Sequence, residues 1–179
     1  MKKIKIITAV IVFFTAFNFL SCSNEPIDPE INLGNWGGVQ DISGSYKMTG
    51  FYTSIPTDLN NDKKASVNQM DETNCFNDNF LTLNADKTFI KTSKLVDIAS
   101  TANVATLNCI VNSELTGTWV LSANTVTLSY ALAGTQTTEV FTFSGNKLVK
   151  SIKQGKIVGT SSSNVPVFLT ADIEIFYSK

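Results

Sequence analysis

The sequence predicts an all-β fold, specifically an eight-stranded up-and-down antiparallel barrel. Three observations support this prediction. Apolar and polar residues alternate with a period of two along several segments, which places one set of side chains on each face of a strand. Short, turn-rich connections join most of these segments in meander order. Thr, Ser, Asn and Val are abundant, as is typical of strands joined by polar turns.

The clearest hairpin lies at residues 115–130, LTGTWVLSANTVTLSY. A two-residue turn at residues 123–124 places Trp119 opposite Leu128. The next pair toward the turn, Leu121 and Val126, falls on the same face. The turn and the apolar pattern therefore predict the same register. This hairpin supplies two strands of the predicted barrel.

Six other segments show a similar alternation and complete the count of eight. Gly50, on the inward face of the first segment, allows a bend or bulge there, and residues 155–160 extend or bulge the seventh strand. The polar outer faces indicate half-buried antiparallel strands, and a closed barrel leaves no sheet edge exposed. A two-sheet sandwich is the alternative. The six segments are residues 45–53, 79–83, 87–95, 137–144, 147–153 and 165–177.

The composition excludes several kinds of chemistry. The 179 residues contain no His and no Arg, so all 14 basic residues are Lys. A Ser-His-Asp triad, a His-ligated zinc and a bidentate Arg clamp on phosphate are therefore impossible. The net charge is −1, and it becomes −4 without Lys2, Lys3 and Lys5. No nucleic-acid partner is expected, since that would require a basic face.

Residues 1–21 have the pattern of an export signal. Lys2, Lys3 and Lys5 form a positive n-region, and residues 6–20 form an apolar h-region that is short for a membrane span. The residues FLSC at positions 19–22 follow directly. They resemble the lipobox of bacterial lipoproteins, so residues 1–21 are predicted to be a lipoprotein signal peptide. An ordinary secretory signal followed by a chance Cys is the alternative.

The lipobox resemblance implies cleavage before Cys22, diacylglycerol on its sulfur and an acyl chain such as palmitate on its new amine. Several acyl chains anchor a protein stably where a single one would not. Ser23, in place of an Asp after the lipidated Cys, points to the outer membrane. We therefore expect an outer-membrane lipoprotein of the cell envelope, on either the periplasmic or the surface-exposed face.

Residues 22–42 are predicted to hold the lipidated Cys and a flexible tether, because Pro and Gly interrupt any periodic pattern there. The folded domain then occupies residues 43–179. Its opening Gly44-Ser45-Tyr46, with LTLNADKTF at 81–89 and GTWVLSANTVTL at 117–128, resembles the lipocalin-like domain of bacterial outer-membrane lipoproteins. The resemblance covers roughly residues 42–177 and implies a lipocalin-like barrel. True lipocalins have Trp where this chain has Tyr46, so the resemblance implies the fold more strongly than any particular ligand.

An acidic loop at residues 56–76 resembles the start of an EF-hand calcium loop. Asp58, Asn60 and Asp62 stand at positions 1, 3 and 5, and Ser66 stands at position 9. The Gly that permits the sharp turn and the final bidentate Glu are both missing from the pattern. These four residues are candidate calcium ligands, and a solvated loop of local Asx turns is the alternative.

With Cys22 lipidated, Cys75 and Cys109 remain as two thiols. An even number of Cys in an exported domain predicts a disulfide between them. It would join the acidic loop to residues 96–113, which are predicted to be a crossing loop, with a single helical turn at most. A reactive thiol, the alternative, needs a neighbouring base or cation.

The barrel interior has two interpretations: a cavity for a small ligand, or a core filled by side chains. Lys150, opposite Phe141 in the simplest register, either extends its ammonium to an open end or contacts an anionic head group inside. No Asp or Glu with a plausible partner is expected at an inward-facing strand position. The candidate cavity residues are Tyr46, Phe89, Trp119, Leu128, Phe141 and Phe143.

These observations favour a lipid-anchored, non-enzymatic lipocalin-like protein that binds a small hydrophobic or amphipathic ligand in its barrel. The alternative is a structural or interaction lipoprotein with a filled barrel and partner-binding loops. A hydrolase that uses the carboxylates of the acidic loop is the third hypothesis. Apart from the calcium candidate no cofactor is expected. The expected partners are the membrane, through the N-terminal lipid, and a small hydrophobic ligand.

Overall fold

The structure, a computed structural model, describes residues 40–101, 104–160 and 165–179. The predicted signal peptide, Cys22 and the tether up to residue 39 lie outside these ranges. Residues Gln40–Lys179 form one compact unit. No helix in the described part is long and apolar enough to cross a membrane. Ile42, at the predicted end of the tether, is buried in the core of this unit.

The described chain is almost entirely β-structure. One helical turn, α1 (Gln69–Glu72), and one 3₁₀ turn (Asn74–Phe76) lie in the acidic loop. The strands are β1 (Gly44–Thr57), β2 (Ser66–Asn68), β3 (Phe80–Leu83), β4 (Thr88–Thr92), β5 (Lys94–Thr101), β6 (Val104–Val111), β7 (Leu115–Ser122), β8 (Thr125–Leu132), β9 (Thr135–Ser144), β10 (Lys147–Thr160) and β11 (Pro166–Ser178).

Eight of these strands form a closed antiparallel barrel in the order β1-β3-β4-β7-β8-β9-β10-β11, and β11 pairs back onto β1. The predicted up-and-down barrel is therefore confirmed, and the sandwich alternative is wrong because the sheet closes on itself. The short strand β2 pairs with β1 alone, while β5 and β6 form a separate two-stranded sheet. The eight barrel strands thus protect one another's backbone hydrogen-bonding groups.

The predicted register of the clearest hairpin is confirmed. Trp119 pairs with Leu128, and the turn falls at Ala123-Asn124, where Ala123 has φ 51°. A positive φ at the first turn residue matches the twist of two-residue hairpins. The register also shifts between Met48 and Gly50, where the sequence predicted a bend.

Two predictions about secondary structure are wrong. Within residues 96–113, expected to be a crossing loop, residues 96–101 belong to β5 and residues 104–111 to β6, and the predicted strand 87–95 is split between β4 and β5. The polar Ala, Thr and Asn content suggested a loop. However, β-branched residues also occur throughout this stretch and favour extended pairing, and Val96 packs against the core. Tertiary contacts therefore decide the conformation here.

Two hydrophobic clusters lie within the compact unit. The larger contains residues from all eight barrel strands, and its residue from β10 is Leu148. The smaller contains Ile157, Ala171 and Ile173. Phe51 and Ile175 pack against both clusters. Barrel closure, both clusters and the disulfide described below all lie within residues 40–179, so this unit can fold on its own.

Candidate functional site

One end of the barrel is filled by side chains. The six predicted cavity residues all belong to the larger hydrophobic cluster and are at most 5% exposed. Phe89 lies edge-on to Tyr130 with ring centroids 6.0 Å apart, and the Trp119 indole N–H donates to the backbone oxygen of Asn84 at 3.0 Å. At this end the predicted cavity residues therefore serve as core. They are Tyr46, Phe89, Trp119, Leu128, Phe141 and Phe143.

A layer of charged and polar side chains lies one alternation step beyond this packed end. It consists of Lys91, Tyr130, Glu139 and Lys150, which we call the charged layer. Each lies two residues from a buried apolar residue on its own strand, so each faces the interior. The four side chains come from β4, β8, β9 and β10 and converge on one carboxylate.

Glu139 is the centre of the charged layer. The Lys91 ammonium lies 2.8 Å from both carboxylate oxygens, and the Lys150 ammonium lies 2.7 Å from Oε2. The Tyr130 hydroxyl donates to Oε1 at 2.7 Å. Two ammonium groups and one carboxylate give the layer a formal charge of +1. This arrangement satisfies the buried carboxylate and leaves one positive charge in excess.

The environment fixes the protonation of these groups. Burial alone would raise the pKa of Glu139, but Lys91 and the hydrogen bonds from Lys150, Lys91 and Tyr130 lower it to about 2. Burial, and then the hydrogen bond to Glu139, raises the pKa of Tyr130 to about 12. Burial lowers the pKa of Lys91, against the raising effect of Glu139. Glu139 is therefore a poor general base near neutral pH, because it is too weakly basic.

The expectation that no Asp or Glu faces inward is wrong. Glu139 precedes the inward-facing Phe141 by two residues, and Lys91 follows Phe89 by two. The period-of-two pattern that predicted the strands therefore also contained this signal. The Lys150 ammonium is bonded to Glu139 inside the barrel, and its side chain stays partly exposed.

An apolar cavity of about 180 Å³ lies near the distal half of β10. Its polar lining groups are Gln69 and Lys156, and its other walls are apolar. We call it the apolar cavity. It is lined by Phe51, Leu59, Gln69, Phe76, Leu95, Val96, Lys156, Ile157 and Val158.

A disulfide holds two walls of the apolar cavity together. Cys75 and Cys109 are bonded, with their Cα atoms 5.3 Å apart, which confirms the predicted pairing. Cys75 precedes the wall residue Phe76, and Cys109 pairs across the β5–β6 hairpin with the wall residue Val96. The bond therefore fixes this hairpin to the 3₁₀ turn beside it.

One wall of the apolar cavity lies in the same cross-strand row as Lys150, although no residue of the charged layer lines the cavity. Lys150 pairs with Ile175 across β10 and β11, and Ile175 pairs with Phe51 across β11 and β1. Directly opposed residues in antiparallel strands lie about 4.5–5.5 Å apart at Cα, so the Cα atoms of Lys150 and Phe51 are separated by about 10 Å. Phe51 is a wall of the apolar cavity. A molecule that contacts both features must therefore span about this distance.

Of the four candidate calcium ligands, Asp58, Asn60 and Asp62 lie in the loop between β1 and β2, and Ser66 begins β2. Backbone N–H groups of the loop itself donate to side-chain oxygens of Asp58, Asn60 and Asp62 at 2.8–2.9 Å. The Ser66 hydroxyl donates to Asp71 at 3.1 Å. Over the described ranges, no three His, Cys, Asp or Glu residues are grouped so that they could hold a metal ion. This donor set does not fit a calcium ion as it stands, and calcium binding stays a prediction.

Wider depressions occur on the outward faces of β1, β10 and β11. One of them, about 440 Å³, is lined by Thr49, Tyr52, Lys147, Glu174 and Phe176. Thr49, Tyr52, Lys147 and Glu174 are exposed. Because this surface faces away from the barrel interior, it is separate from the charged layer and the apolar cavity.

A closed eight-stranded antiparallel barrel of this kind is an architecture whose interior holds packed side chains or one small ligand. A family model described as "Lipocalin-like domain" matches residues 34–150, about two thirds of the chain. The chain therefore belongs to the lipocalin-like domain family, as its motifs suggested. Neither a curated protein nor a solved structure matches it.

Proposed function

We propose that this protein is a lipid-anchored, non-enzymatic carrier of the bacterial cell envelope that holds a small amphipathic molecule inside its barrel. The observation that carries the proposal is the apolar cavity, whose wall residue Phe51 lies in the same cross-strand row as Lys150 of the charged layer. The cavity supplies an apolar volume, and the charged layer supplies a polar group about 10 Å from one of its walls. Membership of the lipocalin-like family agrees with a binding role.

The dimensions of the site restrict the ligand. The apolar cavity, about 180 Å³, is smaller than the ~300–1,000 Å³ typical of drug-sized sites. A single short acyl or prenyl chain suits this space better than a fused-ring molecule. Leu95, on the β5–β6 hairpin, is a half-exposed wall residue, so this side of the cavity lies next to solvent.

The N-terminal sequence supports the anchor. The positive n-region, the apolar h-region and the FLSC lipobox at residues 19–22 together favour lipidation of Cys22. Ser23 favours the outer membrane. A tethered carrier would hold its barrel close to the lipid surface, where amphipathic molecules are concentrated.

Ligand binding can be tested by isothermal titration calorimetry of residues 40–179 with octanol. We expect saturable binding to the wild type and its loss in Leu95→Trp, because the larger ring would occupy the apolar cavity. Ile110→Trp is the matched control. Ile110 is the cross-strand partner of Leu95, has a similar exposure, and does not line the cavity. Failure of the wild type to bind either octanol or its anionic counterpart octanoate, or equal loss in both variants, would refute the carrier proposal.

Anchoring can be tested by growing bacteria that express the full chain with an alkyne analogue of palmitate. The wild type should acquire the label and fractionate with the outer membrane. Cys22→Ser should lose both properties, because no other Cys lies in the lipobox. Ser23→Ala, at the neighbouring position, is the control and should keep the label. Labelling of Cys22→Ser would show that the anchor is elsewhere.

The packed end of the barrel favours a second candidate function, that of a structural or interaction lipoprotein. Tyr46, Trp119 and Phe141 are at most 1% exposed, because other side chains of the protein surround them. They are therefore not positioned to contact a ligand. In this case the loops would contact a protein partner, and octanol would not bind. The calorimetric titration above therefore distinguishes the two functions.

A further inference from the structure

The charged layer contains one more positive charge than its own residues neutralise. Among the described residues, Glu139 is the one carboxylate bonded to Lys91 and Lys150, and it accepts from both. The Lys91 ammonium contacts both oxygens of the Glu139 carboxylate, and the Lys91 side chain is 13% exposed. An uncompensated positive charge in a partly buried position favours an anion that enters beside it.

Lys150 is the cation available to such an anion. An ammonium has three N–H donors, and within the described residues Lys150 uses one of them, on Glu139. Its side chain is 23% exposed, against 13% for Lys91, so solvent reaches it. The ammonium also lies 6.0 Å from the Phe141 ring centroid, which places it at the boundary of the packed end.

We infer that the charged layer is a binding site for the anionic head group of an amphipathic ligand, with Lys150 as the contacting cation. This inference rests on the proposed carrier function and names the class of ligand. The apolar part of the molecule lies in the apolar cavity, whose wall residue Phe51 is two strands from Lys150 in the same cross-strand row. A monoanion such as a carboxylate matches the excess charge of one.

Glu139 acts as a positioning residue in this account. Its carboxylate holds both ammonium groups at fixed points and cancels one of their charges, so it limits how strongly the site attracts anions. Replacing it with Gln keeps the size of the side chain and raises the formal charge of the layer from +1 to +2. If the ion pair were purely structural, Glu139→Gln would not be expected to bind anions more tightly.

The test is a calorimetric titration of residues 40–179 with four eight-carbon ligands: octanoate, octyl phosphate, octanol and octyltrimethylammonium. We expect octanoate to bind roughly tenfold more tightly than octanol, because it gains a charge-assisted hydrogen bond. Octyltrimethylammonium should bind more weakly than octanol. Octyl phosphate tests whether the site prefers one negative charge or two.

The variants identify the cation. Lys150→Gln should weaken octanoate binding roughly tenfold and leave octanol within about twofold, whereas Lys150→Arg should retain most of the difference. Glu139→Gln should bind octanoate more tightly than the wild type does. Lys153→Gln, on the same strand with its side chain 81% exposed, is the control and should change neither ligand.

The outcomes separate the two proposals. If octanol and octanoate bind the wild type equally, the head-group inference is wrong while the carrier function stands. The head-group inference is also wrong, and the carrier function stands, if octanoate binding is weakened by Lys156→Gln, at the wall of the apolar cavity, and not by Lys150→Gln. If no eight-carbon ligand binds the wild type, both the inference and the carrier function fail.

Discussion

Glu139 is an inward-facing residue that affects both the stability of the barrel and the charge of its interior. Its carboxylate bonds side chains from three other strands, so it joins β4, β8 and β10 to β9 inside the barrel. Removing such a carboxylate leaves two ammonium groups near each other without their counter-ion, which is destabilising. The residue is therefore important for stability as well as for the charge of the site.

The stability of the protein should depend on pH through Glu139. In the folded state the contacts with Lys91, Lys150 and the Tyr130 hydroxyl lower its pKa from 4.5 to about 2. Tyr177 also lies within the electrostatic influence of this carboxylate. The stabilisation is then complete above about pH 4.5 and is lost as the pH falls toward 2. We expect Glu139→Gln to lie about 2 kcal/mol below the wild type at pH 7, with the difference shrinking below pH 4.5.

Urea unfolding of both proteins between pH 7 and pH 2.5 measures this difference. Because other acidic groups titrate equally in both proteins, the difference isolates Glu139. A difference that stays constant across this range would contradict the assigned role of its carboxylate.

Gly117 is a second residue whose identity the barrel requires. A Cβ at this position would lie 2.2 Å from the backbone oxygen of Ser129 and 2.9 Å from the Phe89 ring. We expect Gly117→Ala to lower the free energy of unfolding by about 2–4 kcal/mol, measured by urea denaturation. Gly134→Ala is the comparison, because nothing lies within 4 Å and only its φ of +80° opposes Ala, at about 1 kcal/mol. Equal effects would show that the close approach at Gly117 does not matter.

At the scale of elements, the strands with strict alternation could be predicted from the sequence, including the β7–β8 register. The β5–β6 hairpin could not, because its pairing depends on contacts from distant parts of the chain. Val96 packs on the core, and Cys109 is bonded to Cys75, 34 positions earlier. Local composition carries little information about either contact. The disulfide itself could be predicted, since it required only an even count of thiols.

The Cys75–Cys109 bond should stabilise the domain by about 3–4 kcal/mol, because it closes a loop of 34 residues in the unfolded chain. We expect the double variant Cys75→Ala/Cys109→Ala to lose this amount in urea denaturation, and the reduced wild type to match it. Hydrogen exchange should accelerate in β5 and β6 more than in β7 and β8. Uniform acceleration throughout the barrel would contradict a local role for the bond.

For the whole molecule, barrel closure was predictable because eight alternating strands in meander order leave exposed edges unless they close. The family match ends at residue 150, yet closure depends on β11, which pairs with both β10 and β1. The division of the interior into a filled end, a charged layer and an apolar cavity was less predictable. The sequence identified the aromatic residues correctly as inward-facing, but their packing density depends on the whole barrel.

The most direct test of the central claim, that the barrel carries an anionic amphipathic molecule, is native mass spectrometry of the full chain isolated from its native cells in mild detergent. We predict a non-covalent adduct that, once released, is detected as an anion with a carboxylate or phosphate and a short apolar chain. The adduct should be absent from Leu95→Trp and present in Ile110→Trp. A polypeptide without any adduct, or an adduct that persists in Leu95→Trp, would contradict the account.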